Sequence, residues 1–307
     1  MLKLTVQGLI IRCIMIFLYI LSDRELTKEN ANMINYKWCV CDMDGTLLNS
    51  NGVISKENEV ALKKLKQLGL EVIIATGRVD LMVKSFIKQL DLKGPVISCN
   101  GGLVRNTETG EVIYSKIMDK ISVKKIITYC INYNVDYIIY AADIVYYNKN
   151  NPLGKKYENL NKVLSKDSQL PMKYIDNKII ENINDIDALK ILLVCENHEE
   201  VTLLQKYFLK YGNLTVVSSA ECLLDIMASN ISKGNALQIL SRKLEVDLSK
   251  VIVFGDNYND MEMFKCSGMP IAMENAVEDI KLRAKYITKS NNESGIAYAI
   301  NNYILKE

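Results

Sequence analysis

Short runs of apolar residues alternate along most of the chain with longer stretches whose apolar positions recur at helical spacing. Trp38-Cys39-Val40-Cys41 is such a run, and it reads as a strand buried on both faces. Leu47-Leu48-Asn49 and Val53-Ile54-Ser55 then flank Asn51-Gly52, the strongest local signal for a hairpin. Ser55 stands where an N-cap is wanted. Lys56 to Leu68 carries apolar residues at 60, 62, 65 and 68, and Gly69 ends it, so a helix is expected there. Glu71–Ala75 predicts a second strand, Asp80 to Leu90 a helix and Val96 to Cys99 a third strand. Strand, helix, strand, helix, strand of these lengths is a right-handed parallel unit.

The texture changes after about Met118. A helix is expected over Ile121–Tyr133, and strands over Val135–Tyr140, Ile144–Tyr147, Ala188–Cys195, Leu214–Val217 and Cys222–Met227. Glu199–Tyr211 reads as a second helix, and the polar stretch Asn148–Asp187 as irregular. From Ser232 the first texture returns. Asn235–Leu244, Met261–Cys266 and Val277–Ala284 read as helices, and Val251–Phe254, Pro270–Met273 and Tyr286–Thr288 as strands. The last three strands complete a sheet begun by the first three. The expected fold is therefore α/β, a Rossmann-like parallel-sheet core formed by 33–117 and 227–307, with an α+β unit inserted at 118–226.

Residues 1–32 do not resemble the rest of the chain. Leu9 to Leu21 is apolar but broken by Arg12, and the uninterrupted part from Cys13 falls far short of the ~20 residues that span a bilayer. Three readings stay open: a protein that natively starts at Met33, a membrane anchor through 9–21, or a signal peptide, for which no small-x-small cleavage site is visible.

Composition narrows the chemistry. The 307 residues are 49% apolar and 24% charged, as in a packed globular protein, and the net charge of +2 comes from intermingled charges with no basic stripe. A nucleic-acid partner is therefore not expected. The 8 cysteines form no C-x-x-C pair and most lie in apolar runs, as free thiols do in a reducing cytoplasm. A single histidine excludes His-based catalysis and multi-His metal sites in practice.

What remains are polar groups at strand and helix ends: Asp42 and Asp44 after the first strand, Thr76 after the second, Lys233 at a helix start, and Asp256 and Asp260 after Val251–Phe254. Each alone is weak evidence. Parallel strands bring their carboxyl ends to one edge, and there the groups form an anion and metal site. Asp42, Asp256 and a backbone carbonyl suit Mg²⁺, a hard cation that takes oxygen ligands. Asp42 is placed to attack phosphorus, Lys233 to offset the charge, and the Thr76 hydroxyl with the amides near Gly77 and Gly45 to hold phosphate oxygens. Asp44 would move protons, with a pKa raised by crowding among carboxylates.

Asp42-Met43-Asp44-Gly45-Thr46, Thr76-Gly77-Arg78, Ser232-Lys233-Gly234 and Gly255-Asp256-Asn257-Tyr258-Asn259-Asp260 resemble, in order and spacing, the four motifs of the haloacid dehalogenase-like hydrolases. The insertion resembles the C2 cap of the Cof-type branch, and the resemblance runs from about Met33 to the C-terminus. It implies that Asp42 is nucleophile and metal ligand, and Asp44 general acid/base with its carbonyl on Mg²⁺. Asp256 is then the third ligand, with Asp260 behind it. Thr76, Gly77, Lys233 and Asn259 would contact the phosphoryl group, Asn100 would reach the substrate, and the Asn51-Gly52 hairpin would be a flap.

The expected function is Mg²⁺-dependent hydrolysis of small phosphorylated metabolites, such as sugar phosphates or phosphorylated cofactors, in the cytoplasm. A phosphotransferase or mutase would share the aspartyl-phosphate. A non-catalytic metal-binding module has no need of a lid a hundred residues long.

Overall fold

The computed structural model describes residues 35–148, 151–166 and 169–306. The readings offered for 1–32 lie outside these residues. β1 (Trp38–Cys41) is buried throughout, and α1 (Lys56–Gln67), β2 (Glu71–Ala75), α2 (Lys84–Leu90) and β3 (Pro95–Ser98) come after it. A hairpin of β4 (Leu103–Asn106) and β5 (Val112–Ser115) then turns back along β3. Helix α3 (Lys120–Tyr133) leads into six strands: β6 (Asp136–Tyr140), β7 (Val145–Asn148), β8 (Met172–Ile175), β9 (Lys190–Val194), β10 (Leu214–Ala220) and β11 (Leu223–Ala228). Among them lie α4 (Pro152–Val163) and α5 (His198–Leu209). The chain closes with α6 (Lys233–Lys243), β12 (Val251–Gly255), α7 (Met261–Cys266), β13 (Met269–Ala272), α8 (Glu278–Lys281), β14 (Tyr286–Ile287) and α9 (Gly295–Ala299).

Two sheets result. The first runs β14-β13-β12-β1-β2-β3-β4-β5, with every pair parallel up to β3 and the β4–β5 hairpin antiparallel. The second runs β10-β11-β9-β6-β7-β8 and is antiparallel except for β7–β8. The chain moves outward from β1 in one direction through β2 and β3, and in the other from β12 through β14. β1 therefore sits at the point where strand order reverses, where open parallel sheets hold their ligands.

Alternate residues of the central strands face opposite layers. Cys39, Cys41, Val72, Ile74, Ile252 and Phe254 pack with Leu62 and Leu65 of α1 and with Ile296 of α9. Trp38, Val40, Ile73, Val251 and Val253 pack with Leu237 and Leu240 of α6. Strands covered on both faces read as unbroken apolar runs, which is why their positions were predictable.

Several expectations shift. The α1 face runs through Asn58, Ala61, Leu62 and Leu65, while Val60 is 56% exposed. Asn58 takes the inward place because its Oδ1 accepts the amide of Ala297 at 2.9 Å. The expected helix over Asp80–Leu90 is a short 3-10 turn followed by α2. Val277–Ala284 shrinks to the four residues of α8. The polar stretch Asn148–Asp187 holds α4 and β8, and β11 runs to Ala228, two residues past the expected limit of the inserted unit.

Candidate active site

The ladder of β1 continues one residue beyond Cys41, because Asp42 N donates to Phe254 O at 3.0 Å. Asp42 is thus fixed at the carboxyl end of the central strand and is only 5% exposed. Ser232 caps α6 by accepting the amide of Asn235 at 3.0 Å, which sets Lys233 as the first helical residue, facing inward and wholly buried. Its Nζ donates to Asp42 Oδ1 at 2.5 Å and to Asp260 Oδ1 at 2.7 Å. Asp260 Oδ2 accepts the amides of Asp256 and Asn257 at 3.0 and 3.1 Å. Asp260 therefore uses both oxygens to tie the loop after β12 to the ammonium. Asp256 in turn accepts the Thr46 hydroxyl at 2.6 Å.

Carboxylate oxygens of Asp42, Asp256 and Asp260 lie within 4.8 Å of one another. Burial first, then repulsion from Asp260 and Asp256, pushes Asp42 well above the usual carboxylate range against the pull of Lys233. Burial lifts Asp256 to about 6. Burial works to lower Lys233, but the two carboxylates it touches outweigh that and hold it above the usual ammonium range. With all three carboxyl groups ionised, one ammonium would leave two negative charges uncompensated. All the donors are hard oxygens, so the set fits a small divalent cation, which would neutralise the excess. The turn above it leaves space only for glycine. Gly45 has φ +82°, and a Cβ there would collide with the Asp256 carboxylate.

Asp44 departs from expectation. It stands apart from the crowded carboxylates, 59% exposed at its side chain, and Arg78 grips it from Nε at 2.8 Å and from a second nitrogen. The crowding expected at Asp44 falls on Asp42 instead. Thr76 is fully buried at the end of β2, where its hydroxyl accepts the amide of Arg78 at 3.1 Å and keeps its own proton to donate. Beyond β3 three consecutive residues take left-handed conformations: Cys99 (φ +50°), Asn100 (φ +54°) and Gly101 (φ +98°). Such geometry in a side-chain-bearing residue costs about 1–3 kcal/mol and persists where neighbours enforce it. Asn100 was expected to reach substrate. Its carboxamide is engaged at both ends, with Oδ1 accepting from Asn259 at 3.2 Å and Nδ2 donating to Asp225 at 3.3 Å.

Four contributors escaped the sequence reading. Thr46 and Asn275 position the first motif, the latter donating to Gly45 O at 2.8 Å. Lys190 and Asp225 come from the second sheet; Lys190 Nζ donates to Gly77 O at 2.8 Å and pairs with Asp225 at 3.1 Å. Both interrupt otherwise apolar strands, and that was the available signal. At Asn51-Gly52 the expected tight turn is present, with Gly52 at φ +72° and Leu48 bridged to Ile54.

A family model described as haloacid dehalogenase-like hydrolase matches residues 39–300. The chain belongs to the haloacid dehalogenase-like hydrolases. Among the relatives, a Bacillus subtilis 5-amino-6-(5-phospho-D-ribitylamino)uracil phosphatase is 31% identical over 281 residues, covering 86% of this chain and 96% of its own. The Bacillus subtilis phosphatase YwpJ is 31% identical over 279 residues, covering 85% and 98%. A solved haloacid dehalogenase-like hydrolase from B. subtilis superposes with a TM-score of 0.75 at 31% identity, over 87% of this chain and 99% of that one. Membership makes the chain a hydrolase, and both of these relatives are named phosphatases. Among the described residues no helix is long and apolar enough to cross a membrane.

Proposed function

We propose that this haloacid dehalogenase-like hydrolase is a Mg²⁺-dependent phosphatase that hydrolyses small phosphorylated metabolites through a phosphoryl-Asp42 intermediate. One observation carries the reading: Asp42, nearly buried at the end of the central strand, has one oxygen held by the buried Lys233 beside two further carboxylates. A carboxylate so placed is aligned for attack and relieved of part of its repulsion toward phosphate.

In this reading Asp42 attacks phosphorus, the bond from phosphorus to the leaving oxygen breaks, and Asp44, released from Arg78 and protonated when substrate binds, gives that oxygen its proton. Asp44 then takes a proton from the water that attacks the phosphoryl-Asp42. The bond from phosphorus to Asp42 breaks, inorganic phosphate leaves, and both carboxyl groups return to their starting states. Lys233 offsets charge throughout, while the Thr76 hydroxyl, the Gly77 amide and Asn259 hold phosphoryl oxygens. Asp42, Asp256 and the Asp44 carbonyl, with Asp260 behind them, would hold Mg²⁺, which would supply charge neutralisation.

The unit at 118–226 acts as a cap over the body formed by 33–117 and 227–307, excluding bulk water and selecting the leaving group. A sugar phosphate or related monoester is the substrate class, supported by a relative named for a phosphorylated ribitylaminouracil. The seven described cysteines are free thiols, which supports a reducing, cytoplasmic setting.

Purified protein is expected to hydrolyse para-nitrophenyl phosphate with Mg²⁺ and not without it, and Asp42→Asn should lower kcat by roughly 10³ or more. Activity retained in that variant would remove Asp42 from the nucleophile's role. A panel of phosphorylated metabolites then ranks substrates by kcat/KM.

A further inference from the structure

The face that the second sheet turns toward the phosphate site is apolar, with Ile138, Tyr140, Val145 and Leu192 packing against Val79 and Cys99 of the first body. Lys190 and Asp225 interrupt it. Register pairs Lys190 with Met227 and Leu192 with Asp225, so the two charged residues are diagonal neighbours on one face. Both are buried, and Lys190 also lies over the Tyr140 ring at 4.9 Å. Burying a charged pair gives weak stability at best, so the contacts it makes matter more than its presence.

Those contacts run to the phosphate loops. Lys190 Nζ donates to Gly77 O at 2.8 Å, one residue after Thr76. Asp225 Oδ2 accepts from Lys190 at 3.1 Å and from Asn100 Nδ2 at 3.3 Å, and Asn100 Oδ1 accepts from Asn259 at 3.2 Å. Asn100 is the middle of the three left-handed residues. Two residues of the cap thus hold the loops after β2 and β3 in the shape that the site uses.

We infer that Lys190 and Asp225 are positioning residues, which complete the phosphate-binding loops when the cap is docked and so couple docking to assembly of the site. This rests on the phosphatase reading. A second clasp between the two bodies serves as a control. Arg105 on β4 pairs with Asp143 at 2.8 Å and donates to Ala142 O at 2.8 Å, and its Nε meets Asp80 at 2.9 Å, a bond that replacing Asp143 leaves in place.

The test compares Lys190→Met, Asp225→Asn, Asn100→Ala, the double variant Asp225→Asn/Asn100→Ala, and Asp143→Asn. Assays use para-nitrophenyl phosphate and Mg²⁺, at a temperature where circular dichroism shows each protein folded. Lys190→Met and Asp225→Asn should each lower kcat by roughly 10-fold to 100-fold, the scale at which groups that orient a site from behind act. The double variant should lose little beyond Asn100→Ala, because Asp225 acts through Asn100. Asp143→Asn should stay within about twofold of wild type, as an exposed pair would. Hydrogen exchange of amides 76–78 and 99–102 should quicken in both cap variants. A lowered Tm with unchanged kcat, additive losses, or faster exchange confined to the second sheet overturns the inference. A wild-type protein with no turnover would count against the phosphatase reading alone, since exchange at the loops decides the positioning role without it.

Discussion

Arg78 holds Asp44 at two points, donating from Nε to Oδ2 at 2.8 Å and from a second nitrogen to Oδ1. The pair is partly exposed, and such pairs contribute about 0–1 kcal/mol to stability. Arg78→Ala and Asp44→Asn should therefore leave the melting temperature almost unchanged. Asp44→Asn should still lower kcat by roughly 10²–10⁴ if Asp44 moves protons. A series of phosphate monoesters checks this, with alkyl leaving groups hurt more than aryl ones. Equal losses across the series would contradict the acid role.

Lys233 is the buried cation among Asp42, Asp256 and Asp260. Lys233→Met leaves the carboxylates without their counter-charge, which should destabilise the protein by about 3–5 kcal/mol. Urea denaturation with and without Mg²⁺ measures it, and Mg²⁺ should restore part of the loss. A variant as stable as wild type would mean that the carboxylates are neutral without the ammonium.

Cation binding to the folded state alone should raise stability by about 2.7 kcal/mol at a hundred times Kd. Thermal unfolding across a Mg²⁺ titration reads this directly. EDTA should stop turnover, and added Mg²⁺ should return it. In Asp256→Asn the stabilisation should shrink sharply, and an undiminished response would place the cation elsewhere.

Gly45→Ala meets two obstacles, a left-handed φ of +82° and the Asp256 carboxylate where the new methyl would lie. Strain of this kind costs about 1–3 kcal/mol. Mg²⁺ affinity, measured calorimetrically, should fall with it, whereas Gly110→Ala, strained alike at φ +74° but in open space, should lose stability only.

Glu59 on α1 accepts from Lys63 at 2.7 Å, from Gln89 at 3.2 Å and from Lys56 at 3.3 Å, and these bonds lower its pKa from 4.5 to about 2. A lowered folded-state pKa stabilises above the unfolded value and is lost as the pH falls through the folded one. Glu59→Gln should therefore lose stability at pH 7, with the difference shrinking between about pH 4.5 and pH 2. Denaturant midpoints across that range test it; a constant difference would remove the ionic contribution.

The parts of the fold legible from residues alone were those where pattern and burial coincide. β1, β2 and β12 are covered on both sides and announced themselves as apolar runs ending in charge. The hairpin β4–β5 was missed because its strands are short and partly exposed. Helix α4 was missed although Leu153, Tyr157 and Leu160 recur at helical spacing, because they lie in a polar stretch interrupted by Pro152 and Gly154 and are at most partly buried. At the site, the order of the motifs brought Asp42, Lys233, Asp256 and Asp260 together on paper, and the structure brings the same residues together. Arg78's hold on Asp44, and the reach of Lys190 and Asp225 from another sheet, depend on how two bodies dock. Local periodicity carries no information about that.

Strand order also has a consequence for how the protein comes off the ribosome. Trp38 pairs with Glu71 on one side of β1 and with Val251 on the other. Throughout synthesis of the second sheet, one side of this central strand has no partner. Exposed edges of this kind recruit other chains, and pairings so distant in sequence form slowly. Nascent chains released before Val251 should therefore clump, while those released after β12 can close the sheet.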